Sequence, residues 1–364
     1  MRIGIDGTTL VGSHAGVGRF VYQICLELDK HHPNDNFFVY SHIAIQSKLP
    51  SSRWVNRVEP IGIFKLIKGI PWSLIRISSL AKKDKIDVFW ASGSFVPLFF
   101  SKIKVVNTIY DLNYLLVPDT MKFFALMLYR IFFKRSLLKS SSIVCISKGT
   151  QEKLSSLLGI ESHAISYPGL NPIFKKTSSL ESLEVLQKYK IRSRFILAVG
   201  TLEPRKNIST LVEAYRKIVI EKQFRDVCLV LVGGMGWKNH KLITSLGDSE
   251  KEGINLLGFI DYEDLPALYS CAEVFVFPSI YEGFGMPVAE ARACGSKVVA
   301  TDIPELREAG DSEVIYVNPN VEGLVSGIRT ALSIDEVLKR SQSKFKWSEA
   351  AKVMSDEFLK ISSS

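Results

Sequence analysis

Short apolar runs alternate along this chain with longer stretches whose apolar residues recur every three or four positions. In the first half, residues 3–5, 37–40, 88–90, 105–109 and 143–146 read as short buried strands. Between the first two, Val17, Phe20, Val21, Ile24 and Leu28 form a stripe of helical period, which predicts a helix over 17–28 with one face in a core. The second half repeats the pattern. Residues 195–199 (FILAV), 228–232, 254–257, 274–277 and 297–301 read as strands, 208–219 as an amphipathic helix and 347–361 as a C-terminal helix. Residues 302–305 read as a turn. Strands that are apolar on both faces, separated by helices, predict parallel sheets covered on both sides.

The alternation is interrupted once. Residues 167–172 (YPGLNP) place two prolines and a glycine within six positions, and read as a linker. A chain of 364 residues exceeds what one core usually supports. The expected fold class is therefore α/β, with a doubly wound parallel-sheet domain over 1–170 and a second over 171–346. Ligands of such open sheets bind beyond the carboxyl ends of the strands. Two sheets facing each other would enclose a cleft.

Two motifs follow strands of the second half. After 195–199 the chain reads Gly200-Thr201-Leu202-Glu203-Pro204-Arg205-Lys206-Asn207. An arginine offers a two-pronged donor to phosphate oxygens and a lysine a compact mobile charge, so Arg205 and Lys206, expected to be exposed, suit an anionic ligand. After 274–277 comes EGFGMPVAEA at 282–291, which sets Glu282 and Glu290 on either side of seven residues. Gly283 and Gly285 permit close backbone approach, and Pro287 suits a first helical turn. A strand, a glycine turn and a helix start present unpaired N–H groups to an anion, while Glu290 lies two turns on, within reach of hydroxyls. Phosphate and sugar would both find partners here. A third glycine-rich stretch, GSHAGVGR at 12–19, has a spacing unlike the dinucleotide-binding fingerprint. His14 lies at its tip.

These three motifs, in this order and spacing, resemble glycosyltransferase family 4, the retaining nucleotide-sugar enzymes of GT-B fold. The resemblance implies two Rossmann-like domains, with the helix at 347–361 packing back on the first. It implies that Arg205 and Lys206 contact the diphosphate, that Glu290 holds the ribose hydroxyls, and that Glu282 lies near the donor sugar. The backbone of Phe284, Gly285 and Met286 would meet sugar hydroxyls or phosphate. From the first domain, Gly12, Gly16 and Gly18 with Arg19 would wrap the same ligand. Many relatives carry a His-Asp pair where this chain has Tyr110-Asp111. Tyrosine donates a hydrogen bond but does not titrate near neutrality, so Asp111 becomes the carboxylate expected to contact the acceptor or to orient Tyr110. The donor expected from the resemblance is GDP-mannose, with a UDP- or dTDP-sugar as the alternative. The acceptor would be a lipid-linked or growing surface polysaccharide such as O-antigen or capsule. A nucleotide-sugar epimerase of the same fold and an inactive scaffold subunit are rival readings, the latter motivated by Tyr110.

No metal or other cofactor is expected. Asp261-Tyr262-Glu263 superficially resembles a metal motif, but acids before a helix suit its N-terminal dipole. Cys25, Cys145, Cys228, Cys271 and Cys294 are odd in number, lack ligand spacing, and read as small buried hydrophobes. The first residues carry no export signal pattern, so a cytoplasmic protein is expected. Charge refines that picture. Residues 1–175 hold 22 Lys and Arg against 11 Asp and Glu, whereas the remainder holds 24 against 26. A basic first half without a nucleic-acid-binding signature points to an anionic membrane surface on the inner face of the plasma membrane. Residues 121–138 mix aromatic and aliphatic side chains with Lys122, Arg130, Lys134 and Arg135. Such a segment suits an interfacial helix, or a partly buried one.

Overall fold

The computed structural model describes residues 1–12, 16–58, 68–238, 240–247, 251–310, 312–334 and 344–363, with the backbone alone at 241 and 245. The chain forms two compact units. The first comprises Met1–Tyr114, Phe123–Gly169 and Phe345–Ser364, the second Leu115–Lys122 and Leu170–Lys344.

In the first unit, strands β1 (Arg2–Asp6), β2 (Asn36–Ser41), β3 (Trp54–Val58), β4 (Val88–Ala91), β5 (Lys104–Ile109), β6 (Ser142–Cys145) and β7 (Ala164–Ile165) form one sheet in the order β3-β2-β1-β4-β5-β6-β7. Every pairing is parallel. The central strands are buried on both faces, which is why they read as continuous apolar runs. β3 was not legible: its sequence, WVNRV, mixes polar and apolar residues and is half-exposed, as it lies on the sheet edge.

In the second unit, β8 (Phe195–Val199), β9 (Cys228–Val232), β10 (Ile254–Gly258), β11 (Val274–Phe277), β12 (Val298–Thr301) and β13 (Ile315–Val317) form a second parallel sheet, ordered β10-β9-β8-β11-β12-β13. Helix Ile208–Val219 buries Leu211, Val212, Tyr215 and Ile218 against it, and helix Val321–Ser333 adds Leu324 and Ile328 to the same core. Residues 302–305 do not simply turn: Pro304 opens a helix through Ala309.

The C-terminal helix, Trp347–Ser362, is part of the first unit. Its Met354 and Phe358 are fully buried, and Glu357 accepts from Ser142 Oγ at 2.6 Å. Ser355 Oγ meets His32 Nε2 at 2.8 Å, and Trp347 packs edge-on against Phe20. Residues 115–122, at the centre of the first half of the sequence, group instead with the second unit. Trp237 Nε1 donates to the Thr120 carbonyl at 2.6 Å, and Lys238 Nζ to that of Asp119 at 2.8 Å.

Of the five cysteines, four are buried as expected; Cys271 is half-buried instead, at the end of helix Leu265–Cys271. Among the described residues no helix is long and apolar enough to cross a membrane.

Candidate active site

Strand β8 runs into a single 3-10 turn, Pro204–Lys206, and then into helix Ile208–Val219. Its neighbour β11 leads through 278–285 into helix Met286–Ala293. Strand order reverses between β8 and β11, so both motifs leave the sheet at its switch point, where ligands of this architecture bind. Asn207 makes the first exit possible. It adopts the left-handed conformation (φ 56°), tolerable for asparagine, and its amide donates to the Pro319 carbonyl at 2.9 Å. The second exit depends on Gly285, whose φ of 108° suits glycine. The two loops are joined by a backbone hydrogen bond from Ile280 N to the Arg205 carbonyl, 3.0 Å.

The cations are not exposed, contrary to the sequence-based expectation. Only 16% of the Arg205 side chain and 12% of Lys206 reaches solvent. Glu282 accounts for this. Its Oε2 lies 2.8 Å from Arg205 Nη1 and its Oε1 2.6 Å from Lys206 Nζ. Arg205 is held on its other side by Glu203, through Nε at 3.1 Å and Nη2 at 2.6 Å, and also donates to the Tyr281 carbonyl at 2.9 Å. The Lys206 ammonium sits 4.6 Å from the Phe277 ring centre, over its face. Glu282 does not cap the following helix, whose N-cap is Gly285 without a side-chain bond.

Electrostatics follow from this packing. Burial alone would raise the Glu282 carboxyl, but two adjacent cations and their hydrogen bonds outweigh it and hold it at about 2. Lys206 moves downward from its ordinary value because burial and the neighbouring Arg205 outweigh the single carboxylate that pairs with it. A carboxylate held below its unfolded value of 4.5 contributes stability that is complete above that pH and lost as pH falls through about 2. The contribution is on the order of 3 kcal/mol at neutral pH. Acid titration of the wild type and Glu282→Gln, followed by unfolding free energy, checks this. Between pH 4.5 and 2 the wild type should lose this increment and the variant should not; parallel curves would refute it.

Glu290 is 4% exposed on helix Met286–Ala293 and accepts from Tyr269 Oη at 3.2 Å, rather than lying free on the surface. Phe284 and Gly285 are buried and Met286 is half-buried on the same turn. Arg205, Lys206, Glu282, Phe284, Gly285, Met286 and Glu290 thus all lie on the two loops and one helix at this switch point.

Residues 184–352 match the family of glycosyl transferases group 1. Over 161 residues, 43% of this chain and 42% of the relative, the sequence is 40% identical to O-antigen chain mannosyltransferase B of Escherichia coli. It is 29% identical over 216 residues to the O-antigen chain mannosyltransferase RfbU of Salmonella typhimurium, covering 59% and 57% of the two chains. The matched regions thus span less than two thirds of these relatives. The fold is similar over 99% of this chain and 98% of the other to sucrose-phosphate synthase from Thermosynechococcus elongatus, with a TM-score of 0.77 at 18% identity. Residues 184–352 thus resemble the glycosyl transferases group 1, and the chain as a whole has the GT-B fold.

The first unit of this chain departs from the sequence-based expectation at one point. Tyr110 follows β5, and its hydroxyl is buried and has no hydrogen-bond partner among the described residues. Burial and the nearby Asp6 push it well above its usual range, and its ring meets Phe20 edge-on at 5.5 Å. Asp111 therefore does not orient Tyr110 through a hydrogen bond. Its Oδ1 instead accepts from the Asn113 N–H at 3.0 Å, a strand-end turn. Gly16 immediately precedes helix Val17–His31 and Gly18 lies in its first turn, beside Arg19. A Cβ on Gly18 would lie 2.5 Å from the Thr9 carbonyl oxygen, so close packing requires glycine there. Gly12 is exposed, and His14 lies outside the described residues.

Asp261 and Asp264 pair with Lys188 Nζ at 2.6 and 2.7 Å. The expected side-chain cap is absent at both Asp261 and Asp264, which precede the turn Tyr262–Asp264 and helix Leu265–Cys271 respectively. Sequence reasoning missed Glu203 and Phe277. A carboxylate two residues before Arg205 was a usable signal for the first; only the packing of β11 beside β8 brings the ring to Lys206.

Proposed function

We propose that this protein is a retaining glycosyltransferase that moves mannose from GDP-mannose to a lipid-linked or growing surface polysaccharide of the O-antigen type. The observation that carries the reading is the pairing of Arg205 and Lys206 at the switch point of the second sheet, with Glu282 beside them. Transfer of a glycosyl group leaves negative charge growing on a departing nucleoside diphosphate, and preformed cations in a water-poor site stabilise that charge strongly. Glu282 would meet the sugar and Glu290 the ribose, while the turn at 284–286 would offer backbone groups to hydroxyls or phosphate. Asp111 and Tyr110 would face the acceptor chemistry, and Gly16 and Gly18 the donor. No metal is needed where arginine and lysine serve the diphosphate. The mannosyltransferase names of the relatives support mannose and O-antigen. The reading is tested by incubating the protein with GDP-mannose, UDP- and dTDP-sugars and a polyprenyl-diphosphate-linked glycan, followed by mass spectrometry. A hexose added from GDP-mannose supports it; addition only from another donor, or none, overturns it.

The same reading puts the enzyme on the anionic inner face of the plasma membrane. Helix Phe123–Lys139 supports this through its outer face, where Phe123 (75% exposed) and Leu138 (69%) are joined by Phe124, Met127, Arg130, Ile131 and Lys134. Its inner face buries Phe133, Ser136 and Leu137. Arg135 is not available to lipid, since it donates to the carbonyls of Val96 and Leu98 at 3.1 and 2.7 Å. Each cation near an anionic surface is worth about 1 kcal/mol. Replacing Lys122, Arg130 and Lys134 with glutamine should therefore release the protein from phosphatidylglycerol vesicles in sedimentation, and added salt should mimic the change. Pelleting indifferent to salt and to these substitutions would exclude electrostatic docking.

A further inference from the structure

Four charges meet at the switch point: the buried Glu203 and Glu282 and the half-buried Arg205 and Lys206. The two carboxylates are not equivalent. Glu203 grips Arg205 from the same turn, whose backbone closes through Lys206 N to the Glu203 carbonyl at 3.0 Å. That hold is local and survives movement of the neighbouring loop. Glu282 comes from the β11 exit, and each of its oxygens takes a different cation, at 2.8 and 2.6 Å. A carboxylate that bridges a guanidinium and an ammonium offers them two anionic oxygens, as a phosphate does. A diphosphate approaching the same N–H groups must displace Glu282 or face its charge.

We propose that Glu282 and the donor's diphosphate compete for one seat on Arg205 and Lys206, and that Glu203 is the positioning residue that keeps the Arg205 fork in place during the exchange. Displaced, Glu282 is free to accept hydrogen bonds from sugar hydroxyls on the same ligand. One carboxylate thus either covers the cations or serves the sugar. The downward shift of Lys206 agrees, since burial and Arg205 together leave that cation short of negative charge even with Glu282 in place. This inference rests on the diphosphate role given above to Arg205 and Lys206.

The test is isothermal titration of inorganic pyrophosphate, GDP and UDP into wild type, Glu282→Gln and Glu203→Gln. Loss of one competing charge-assisted contact should tighten pyrophosphate binding to Glu282→Gln about tenfold, and loss of the clamp should weaken binding to Glu203→Gln about tenfold. Simple removal of negative charge beside an anion site would tighten both, so the opposite signs identify positioning. Weaker or unchanged binding by Glu282→Gln, shifts of the same sign, or no pyrophosphate binding by wild type would overturn the inference. Should a variant fail to fold by circular dichroism, the crystal structure of wild type with GDP or UDP decides. Glu282 out of hydrogen-bond reach of both cations, with Glu203 still on Arg205, upholds the exchange; an intact Glu282–Lys206 pair beside bound diphosphate refutes it. Sugar transfer is assayed separately, so failure of the wild type to transfer would overturn the proposed function while the pyrophosphate comparison still decides the exchange.

Discussion

Arg205→Ala is expected to lower the rate of sugar transfer by about 10²–10³-fold, and Lys206→Ala by a comparable factor, the cost of losing one preorganised donor to developing charge. The structure adds a consequence that a solvent-exposed pair would not have. Arg205 neutralises two buried carboxylates, Glu203 and Glu282, and removing one partner of a buried pair costs about 3–5 kcal/mol because the remaining charge is stranded. Stability should fall together with turnover, so both are measured on one preparation, at a temperature where circular dichroism shows the variant folded. Arg205→Lys separates the contributions. It keeps the charge but loses the fork that spans Glu203 and Glu282, so it should retain more stability than Arg205→Ala while recovering little of the rate. Near-normal transfer by the Arg205→Ala, Lys206→Ala double variant would remove both residues from the site.

Gly285→Val should produce the largest stability loss of any single change in the 282–291 motif. The residue sits at φ 108°, a region that costs a side-chain-bearing residue about 1–2 kcal/mol. A Cβ there would also lie 2.3 Å from Leu306 Cδ2. Leu306 is fully buried, so it cannot swing outward, and overpacking of this kind costs about 1–3 kcal/mol more. A total of about 3 kcal/mol corresponds to a melting temperature lower by roughly 6–12 °C for a unit of this size. Because Gly285 joins the loop of Glu282 to the helix of Glu290, nucleotide affinity should fall as well. Gly285→Ala, with no branch at Cβ, should lose less. A valine variant that melts with the wild type would mean that the turn is not conformationally tied to the helix it opens.

The interior strands were legible because a strand buried on both faces is apolar at nearly every position. β1, β4, β8 and β11 are of this kind, and helix Val17–His31 shows one apolar stripe because only one face meets the sheet. Of the edge strands, β10 was legible and β3, β7 and β13 were not. These three are short and partly exposed, and only pairing with a neighbour makes them strands. The same reasoning explains residues 115–122: a short segment with Pro118 carries no local sign of the unit it joins, since its partners, Trp237 and Lys238, lie more than a hundred residues away.

The sequence by itself determined the parallel α/β organisation and the residue types that suit a diphosphate and a sugar. These are local properties, set by periodicity, glycine and proline positions, and side-chain chemistry. It could not determine that Arg205 and Lys206 are largely shielded from solvent, that Glu282 bridges them, or that the Tyr110 hydroxyl is buried without a bond to Asp111. Burial and pairing of a charge depend on which loop is its neighbour, and here that loop lies 76 residues further along the chain. Adjacency of β8 and β11 at the switch point brings it there, and only the folded sheet specifies that adjacency.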